Sequence, residues 1–324
     1  MPKAIRIHEQ GGPEVMKWED VQVGDPGPGE ARVRHKAVGL NFLDVYQRSG
    51  TYKIPLPSGM GNEGSGLVEA VGPGVTQVKT GDRVAYTGGP VGAYAEVRNM
   101  PAERLVVLPE KISFDAGAAM MLKGCTAEYL LRRTYKVQAG ETILLHAAAG
   151  GVGLIACQWA KALGVTVIGT VGSDEKAALA KAHGCDHVIV YTRENFVERV
   201  KQITGGKGVP VVYDSVGKET FMGSLDCLKP RGLMVSFGNA SGPVPPMELG
   251  ILAQKGSLYI TRPTLNTYAA KREDLVDSAK ALFDVVQSGK VKIEVNHRYA
   301  LKDAVQAHRD LQARKTTGST IFIP

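Results

Sequence analysis

The chain has 324 residues, of which 44% are hydrophobic and 22% are charged. This length suits two domains, and this composition excludes an intrinsically disordered chain. The 39 basic and 32 acidic residues give a net charge of +7, but the basic residues form no block or stripe with aromatic residues, which argues against nucleic acid as the main partner.

Short β-type segments, separated by proline and glycine, fill the N-terminal portion of the chain up to Pro109. They show little helical periodicity, which predicts a compact β-rich domain. The predicted strands are residues 31–38, 67–71, 83–86, 93–97 and 105–108.

A first glycine cluster, GMGNEGSG at residues 59–66, matches the G-x-G-x-x-G pattern of dinucleotide-binding proteins. Such glycines hold a pyrophosphate where a strand turns tightly into a helix. This cluster follows Pro55 and Pro57, no strand is predicted before it, and a β-branched segment at 67–71 comes after it. We therefore predict that it does not bind the cofactor.

A second cluster has the required context. An apolar strand at 143–146 leads through the small residues 147–153 into a helix at 154–163, and a second strand follows at 165–170. This is the size of one βαβ unit, and its turn is the predicted pyrophosphate site. The residues predicted to contact the cofactor there are Ala149, Gly150, Gly151, Val152 and Gly153.

The segment 142–160 contains no Asp, Glu, Lys or Arg and is about long enough to cross a bilayer. His146 and the glycines in its middle favour the strand, turn and helix instead. We therefore expect no membrane span.

The alternation of strand and helix continues to residue 261 and predicts a six-stranded, doubly wound parallel sheet. Ligands of such sheets collect at the carboxyl ends of the strands, where Ser215, Phe237 and Gly238 fall. The predicted elements are a helix that Ser173 caps and that runs through Lys176 to His183, a strand at 187–190, a helix at 196–203, a strand at 209–213, a helix at 221–228, a strand at 233–237, a helix at 249–254 and a strand at 258–261.

The end of the second strand bears on the choice of nicotinamide cofactor. NAD sites usually have an acid there to accept the ribose hydroxyls, whereas this strand ends GTVGS without one. Ser173 and Lys176 can instead bind a 2′-phosphate, which favours NADPH over NADH. Asp174 and Glu175 would oppose the phosphate if they faced it. The alternative is that Ser173 only caps the helix and Lys176 is only a solvated helix residue.

The tail after Pro263 predicts a helix at 275–286, a strand at 292–299, a helix at 304–313 and a last strand at 320–323. The four cysteines of the chain lie far apart with no CxxC pair, which is typical of a reducing compartment. The chain opens MPKAIRIHEQ, without the pattern of a secretory leader. We expect a cytoplasmic protein.

Three motifs together resemble the medium-chain dehydrogenase/reductase superfamily, and most of all its zinc-free quinone oxidoreductase branch, the zeta-crystallin-like enzymes. These motifs are GLNFLD at 39–44, KGCTA at 123–127 and HAAAGGVG at 146–153. The resemblance covers essentially the whole chain. It implies a GroES-like catalytic domain at 1–125 that is completed by 264–324, a Rossmann domain at 126–263, and a homodimer formed through the edge strand 257–261.

The resemblance also bears on metal. Zinc-dependent relatives have a Cys where this chain has Asn41 and a His where it has Asn62. Two asparagines remove the thiolate and the imidazole that zinc prefers, and His35 with Glu63 is not enough to rebuild a site. We expect no metal, and therefore an acceptor that is already electrophilic, a quinone or an enone.

By resemblance, Asn41, Tyr46 and Tyr52 line the active site beside the nicotinamide, and Tyr46 orients the carbonyl of the acceptor. The alternative is that Asn41 and Asp44 form a helix-start box and that Tyr46 only packs. The resemblance also implies that Thr126 lies beside the nicotinamide ring and that Tyr191 and Arg314 contact the adenosine and phosphate groups. For Arg314, a solvated cation at a helix end is the alternative.

Three functions follow from the sequence. The leading one is NADPH-dependent, zinc-free reduction of quinones. The second is reduction of an enone or enoyl-thioester on the same scaffold. The third, of another class, is a non-catalytic role as a nucleic-acid-binding or structural protein, for which the net positive charge is the only support.

Overall fold

The structure is a computed structural model that describes all 324 residues. The strands are β1 (Lys3–Ile7), β2 (Lys17–Asp20), β3 (Glu30–Leu40), β4 (Ser58–Gly59), β5 (Glu63–Val71), β6 (Arg83–Thr87), β7 (Val97–Pro101), β8 (Val106–Val107), β9 (Thr142–Leu145), β10 (Thr166–Val171), β11 (His187–Val190), β12 (Val209–Asp214), β13 (Leu228–Ser236), β14 (Tyr259–Thr261), β15 (Val295–Ala300) and β16 (Ser319–Ile323). The α-helices are α1 (Phe42–Ser49), α2 (Phe114–Tyr129), α3 (Gly151–Ala162), α4 (Asp174–Ala182), α5 (Phe196–Ile203), α6 (Phe221–Asp226), α7 (Gly250–Gln254), α8 (Leu265–Tyr268), α9 (Arg272–Gln287) and α10 (Ala304–Gln312).

The chain forms two compact units. Unit 1 consists of Met1–Cys125, Ala269–Gln287 and Ile293–Pro324. Unit 2 consists of Thr126–Tyr268 and Ser288–Lys292.

Unit 1 is β-rich, and its largest sheet has seven strands. Six of them follow the order β15-β16-β3-β5-β6-β8, and β7 pairs with β3. Strand β3 is long enough to pair antiparallel with β5, β7 and β16. A second sheet of three strands has the order β2-β1-β4. Alternate side chains of β3, such as Val33, face a buried apolar core that includes Met60, Tyr94 and Phe322.

The prediction of a strand at 93–97 is wrong. Tyr94 donates its backbone N–H to the carbonyl of Met60, and Ala95 forms only an isolated bridge with Ala4. The strand β7 begins at Val97, where regular pairing with β3 starts. The apolar residues at 93–95 are buried as core rather than as part of a ladder.

Unit 2 is a parallel sheet of six strands in the order β11-β10-β9-β12-β13-β14. Every pair of neighbouring strands in it is parallel. The strand order reverses between β9 and β12, which is the switch point where such sheets bind ligands. The predicted six-stranded doubly wound sheet is therefore confirmed. Its core is formed by β-branched and long aliphatic side chains, including Leu144, Ile168, Ile189, Val212 and Met234.

The helix α2 does not appear among the predicted elements. Its stretch from Ala118 to Met121 is completely buried, so its sequence lacks the polar face that marks a surface helix. No helix in the chain is both long enough and apolar enough to cross a membrane.

Candidate functional site

The second glycine cluster forms the tight turn that a pyrophosphate site requires. Strand β9 ends at Leu145, Gly150 caps the next helix, and α3 begins at Gly151. Ala147 takes a left-handed backbone with φ of 55°, and the N–H of Gly150 donates to its carbonyl at 2.9 Å. The first turn of a helix has N–H groups without intrahelical acceptors. The N–H groups of Gly151, Val152 and Gly153 therefore form an anion-binding end.

The glycines of this turn differ in what surrounds them. A Cβ on Gly153 would meet the carbonyl oxygen of Ala147 and would lie 2.6 Å from that of Ala148. Only glycine therefore allows this close packing of helix and turn. A Cβ on Gly150 would contact only the Ala147 oxygen, at 3.2 Å, and has open space otherwise. That open side is the cradle that a phosphate would fill, so the residues present fit a dinucleotide.

The first glycine cluster has a different role. A short strand, β4, ends at Gly59, the first glycine of the cluster, contrary to the sequence prediction, but the cluster continues into strand β5 and not into a helix. A Cβ on Gly61 would meet the ring of Tyr94, and one on Gly66 would lie 2.8 Å from the carbonyl carbon of Arg34. These glycines serve the packing of unit 1.

The end of β10 carries the residues predicted for a 2′-phosphate. The hydroxyl of Ser173 accepts a hydrogen bond from the N–H of Lys176 at 3.3 Å, so Ser173 is an N-cap of α4. Its hydroxyl hydrogen can still be donated to another group. Tyr191, which follows β11, lies over Gly172, where a Cβ would be 3.0 Å from the tyrosine oxygen. Ser173, Lys176 and Tyr191 therefore belong to one end of the sheet.

Ser215, Phe237 and Gly238 come together at the carboxyl ends of β12 and β13. Phe237 donates its N–H to the carbonyl of Asp214 at 2.8 Å. A Cβ on Gly238 would lie 2.8 Å from the Cα of Ser215, so the two loops touch through their backbones. Arg262 donates to the carbonyl of Gly238 at 3.1 Å.

Asp214 holds these loops and was not among the predicted site residues. Its buried carboxylate accepts hydrogen bonds from the N–H groups of Val216 and Gly217 and from the hydroxyls of Thr220 and Ser224, over 2.7 to 3.0 Å. Its place directly after an apolar strand was the available signal. The hydroxyl of Ser224 also lies 2.9 Å from Nε2 of His146, a residue whose pKa is lowered by burial.

In unit 1, Asn41 stands at the start of helix α1 and its side chain contacts Glu63. The Asn41 amide donates to Oε2 of Glu63 at 2.9 Å, and the backbone N–H of Asn41 donates to Asp44 at 2.8 Å. Glu63 is fully buried and also accepts from the N–H of Leu122 at 2.8 Å and from the ammonium of Lys123 at 3.1 Å. Asn41 and Asp44 therefore do form the box that starts the helix, and the Asn41 side chain is in addition held by Glu63.

Asn62 joins the start of β5 to helix α1. Its amide nitrogen donates both to Asp44 and to Gln47, each at 2.7 Å. Burial raises the pKa of Asp44 to about 6, while its hydrogen bonds from Asn62 and Tyr94 act to lower that pKa.

Tyr46 of helix α1 and Tyr52, which follows the helix, are neighbours. Their ring centroids lie 5.2 Å apart in an edge-to-face arrangement, and the N–H of Tyr52 donates to the carbonyl of Tyr46 at 2.9 Å. The ring of Phe42 also contacts Tyr46, with its centroid 5.9 Å away in a tilted arrangement. The side chain of Tyr46 is partly buried, and Tyr52 is 36% exposed.

Two further predicted residues lie elsewhere. Thr126 is a buried residue of α2 in unit 2, and its hydroxyl hydrogen-bonds to Tyr129. Arg314 follows α10 in unit 1 with a left-handed φ of 59°. Of the residues predicted to bind the cofactor, Asn41 and Arg314 therefore belong to unit 1 and the others to unit 2.

The side chains at the position where zinc-dependent relatives bind their metal do not form a set of zinc ligands. Both hydrogens of the Asn62 amide point toward oxygen acceptors, and the Glu63 carboxylate is paired with Lys123. Both ring nitrogens of His35 have partners, since Nδ1 lies 2.6 Å from the carbonyl of Ala95 and Nε2 lies 2.8 Å from the Tyr86 hydroxyl. No group of three or more His, Cys, Asp or Glu side chains in the chain is arranged to hold a metal ion. These residues do not fit the zinc site of a zinc-dependent dehydrogenase.

Two family models match the chain, one within unit 1 and the other mostly within unit 2. The alcohol dehydrogenase GroES-like domain matches residues 27–110. The zinc-binding dehydrogenase family model matches residues 151–282. A GroES-like unit and a Rossmann sheet in one chain define an oxidoreductase of the medium-chain dehydrogenase/reductase superfamily.

Relatives at high identity narrow this assignment. A quinone oxidoreductase from Pseudomonas aeruginosa is 59% identical over the full length of both chains. The crystal structure of Escherichia coli quinone oxidoreductase complexed with NADPH is 53% identical, with a TM-score of 0.98 over 99% of this chain and 100% of that chain. The chain belongs to the quinone oxidoreductase family. A 2-haloacrylate reductase from Burkholderia is 46% identical over 100% of this chain and 99% of its own.

Proposed function

We propose that the protein binds NADPH and reduces quinones by hydride transfer, without zinc. The observation that carries the proposal is the turn at Ala147–Gly153 that leads from β9 into α3, together with Ser173 and Lys176 in place of an acid at the end of β10. The NADPH complex of the Escherichia coli relative supports the choice of cofactor. In this proposal, residues 126–263 bind the cofactor and residues 1–125 with 264–324 form the catalytic domain.

The roles of the cofactor-binding residues follow from their chemistry. The helix end at Gly151–Gly153 holds the pyrophosphate through backbone N–H groups. Ser173 and Lys176 hold the 2′-phosphate by a hydroxyl hydrogen bond and a point charge. Tyr191 packs against the adenosine, and Arg314 adds a cation. We assign the nicotinamide end to Thr126, Ser215, Phe237 and Gly238.

The catalytic roles are assigned to the start of helix α1. NADPH, when bound, supplies the hydride. Asn41 offers the second hydrogen of its amide to the acceptor, while its first hydrogen is anchored on Glu63. A fixed donor stabilises the negative charge that develops on the oxygen of a quinone without needing to reorganise. Tyr46 orients the acceptor carbonyl, and Tyr52 supports the ring of Tyr46.

The absence of zinc is proposed from the chemistry of the residues themselves. The Asn41 and Asn62 amides donate hydrogen bonds to carboxylates where zinc-dependent relatives have thiolate and imidazole ligands. Without a Lewis acid, oxidation of an alcohol through an alkoxide is disfavoured, whereas a quinone is electrophilic already.

A second function on the same scaffold is reduction of an activated alkene, such as an enone or an enoyl-thioester. The full-length similarity to the 2-haloacrylate reductase favours it as the alternative. Initial rates of NADPH oxidation with small quinones, enones, a 2-haloacrylate and an enoyl-CoA separate the two functions. We expect quinones to give the highest kcat/KM, and turnover of the enoyl-CoA or haloacrylate alone would contradict the proposal.

The non-catalytic role, the third expectation from the sequence, is not supported, because relatives named quinone oxidoreductases are 53–59% identical over the full chain. Fluorescence enhancement of NADPH on titration with the protein tests the proposed cofactor site directly. We expect enhancement, and its absence would contradict the proposed NADPH site.

We also propose a homodimer that forms through the edge of the unit 2 sheet. Strand β14 is the last strand on that side, and Tyr259 and Ile260 are 61% and 36% exposed. An exposed apolar edge strand is a ready template for pairing with a second copy. A cytoplasmic location is proposed from the four cysteines, which are all buried and form no disulfide.

A further inference from the structure

An ion pair at the start of helix α4 links the loops that follow β10 and β11. Asp174 is the first residue of α4, directly after the N-cap Ser173, and Arg193 lies two residues after Tyr191. Nη1 of Arg193 donates to Oδ2 of Asp174 at 2.7 Å, and Nη2 donates to Oδ1. Both guanidinium branches are used, so this is the two-pronged geometry that arginine prefers with a carboxylate.

The position of Asp174 conflicts with the proposed cofactor. It stands in the sequence between Ser173 and Lys176, the two residues assigned to the 2′-phosphate. A carboxylate at this turn repels a phosphate, and an acid near the end of the second strand is the feature that NAD sites use for the ribose hydroxyls. Asp174 alone would therefore favour NADH, while Ser173 and Lys176 favour NADPH.

The pairing with Arg193 resolves this conflict by charge. The carboxylate of Asp174 is ionised at neutral pH, since the hydrogen bonds from Arg193 lower its pKa further below the usual value of 3.8, and its charge is balanced by the guanidinium rather than removed by a proton. The two side chains are 58% and 70% exposed, so solvent screens the pair. Its effect on a phosphate is therefore one of local charge, of modest size.

We propose that Arg193 is a cofactor-specificity residue that acts through Asp174. By occupying both carboxylate oxygens, Arg193 cancels the repulsion that Asp174 would exert on the 2′-phosphate of NADPH. This inference rests on the proposed NADPH dependence. Arg193 is then a determinant of cofactor choice that lies outside the sequence segment after β10, since it is separated from Asp174 by 19 residues.

A double-mutant cycle on the full-length protein tests the inference by nucleotide binding. Dissociation constants of NADPH and NADH are measured by fluorescence titration for the wild type, Arg193→Gln, Asp174→Asn and the double variant. We expect Arg193→Gln to weaken NADPH binding by about 3- to 10-fold, from the Coulomb energy of an unbalanced charge in solvent, and NADH binding by less than about twofold. The double variant is expected to bind NADPH within about twofold of the wild type, because both charges are gone.

A matched control is available in unit 1. Lys280 and Asp284 on α9 form an exposed ion pair, with side chains 73% and 60% exposed. Lys280→Gln removes a positive charge as Arg193→Gln does, and it is expected to leave both dissociation constants unchanged.

Two results would overturn the inference. One is an unchanged NADPH affinity in Arg193→Gln. The other is a double variant as weak as Arg193→Gln alone, which would mean that Arg193 touches the phosphate itself rather than acting through Asp174. If the wild type binds neither nucleotide, the proposed function fails and the inference fails with it, whereas wild-type binding with either of the two results above defeats the inference alone.

Discussion

The side-chain amide of Asn41 donates to the buried carboxylate of Glu63 over 2.9 Å. The same carboxylate oxygen lies 3.1 Å from the ammonium of Lys123, so its charge is balanced inside the protein. The hydrogen bond to this buried carboxylate fixes the orientation of the Asn41 amide. This fixed amide is what the proposed chemistry uses in place of a metal ion.

Removing this donor tests its role in catalysis. Loss of one preorganised donor to a developing oxyanion typically lowers kcat by about 100-fold or more, and we expect Asn41→Ala to lower kcat for a quinone by a similar order. Tyr46→Phe keeps the ring contact with Tyr52 and loses only the hydroxyl, so we expect a decrease of about tenfold or less. Steady-state kinetics on both variants measures this. Wild-type kcat in Asn41→Ala would show that the amide is structural.

Alanine substitutions at two glycines of the phosphate turn are expected to have different effects, one on NADPH binding and the other on stability. Gly150→Ala adds a methyl group whose single close neighbour is the Ala147 oxygen at 3.2 Å, so we expect at most a small loss in the free energy of unfolding but weaker NADPH binding, because the methyl occupies the phosphate cradle. Gly153→Ala meets the carbonyl oxygens of Ala147 and Ala148, so we expect a loss of stability of about 1–3 kcal/mol. Urea unfolding and fluorescence titration measure the two effects. Unchanged NADPH affinity in Gly150→Ala would place the pyrophosphate elsewhere.

The edge strand β14 predicts how the oligomer can be broken. Ile260→Lys puts a charge on this edge, and we expect it to convert the dimer to monomers. Val107, which is 50% exposed on the edge strand β8, offers a control, since Val107→Lys is expected to leave the mass unchanged. Light scattering after size exclusion gives the masses. A dimer that survives Ile260→Lys would argue for another interface.

The buried imidazole of His35 predicts a loss of stability in acid. Burial lowers its pKa from the usual 6.5 to about 4, so the unfolded chain takes up the proton first as the pH falls. The contribution of His35 to the free energy of unfolding is fully present above pH 6.5. It is lost as the pH falls toward 4, by about 3 kcal/mol in total. The raised pKa of Asp44 acts in the opposite sense, but it is common to wild type and variant.

Urea unfolding of wild type and His35→Gln between pH 7 and 4 isolates this contribution. We expect the free energy of unfolding to fall less steeply with acid in the variant, whatever its stability at neutral pH. Parallel pH profiles for the two proteins would show that His35 is not the group responsible.

The sequence predicted the elements of unit 2 well because their signals are local. The strand His187–Val190 and the helix Phe196–Ile203 have the predicted bounds, since turn-forming residues flank each apolar run. Strand β13 instead begins at Leu228, five residues before its prediction, because Leu228 pairs with Val209 of β12 ahead of an irregularity, after which regular pairing resumes at Leu233. Tertiary pairing of this kind leaves no periodic signal.

The candidate site was predicted by residue type and not by contacts. Asn41 and Asn62 were singled out because zinc-dependent relatives have metal ligands at these positions. Their hydrogen-bond partners Glu63, Asp44 and Gln47 follow only from the way α1 packs beside β5. The pairing of Arg193 with Asp174 also depends on how two loops meet at the end of the sheet. Long-range partners of this type need the fold.

The most direct test of the account measures NADPH oxidation by benzoquinone before and after exhaustive chelation, with the metal content of both samples determined. The account predicts that the metal-free protein oxidises NADPH in a quinone-dependent reaction with kcat and KM within about twofold of the untreated protein. Activity that disappears on chelation and returns with zinc would contradict it, as would the absence of quinone-dependent oxidation in both samples.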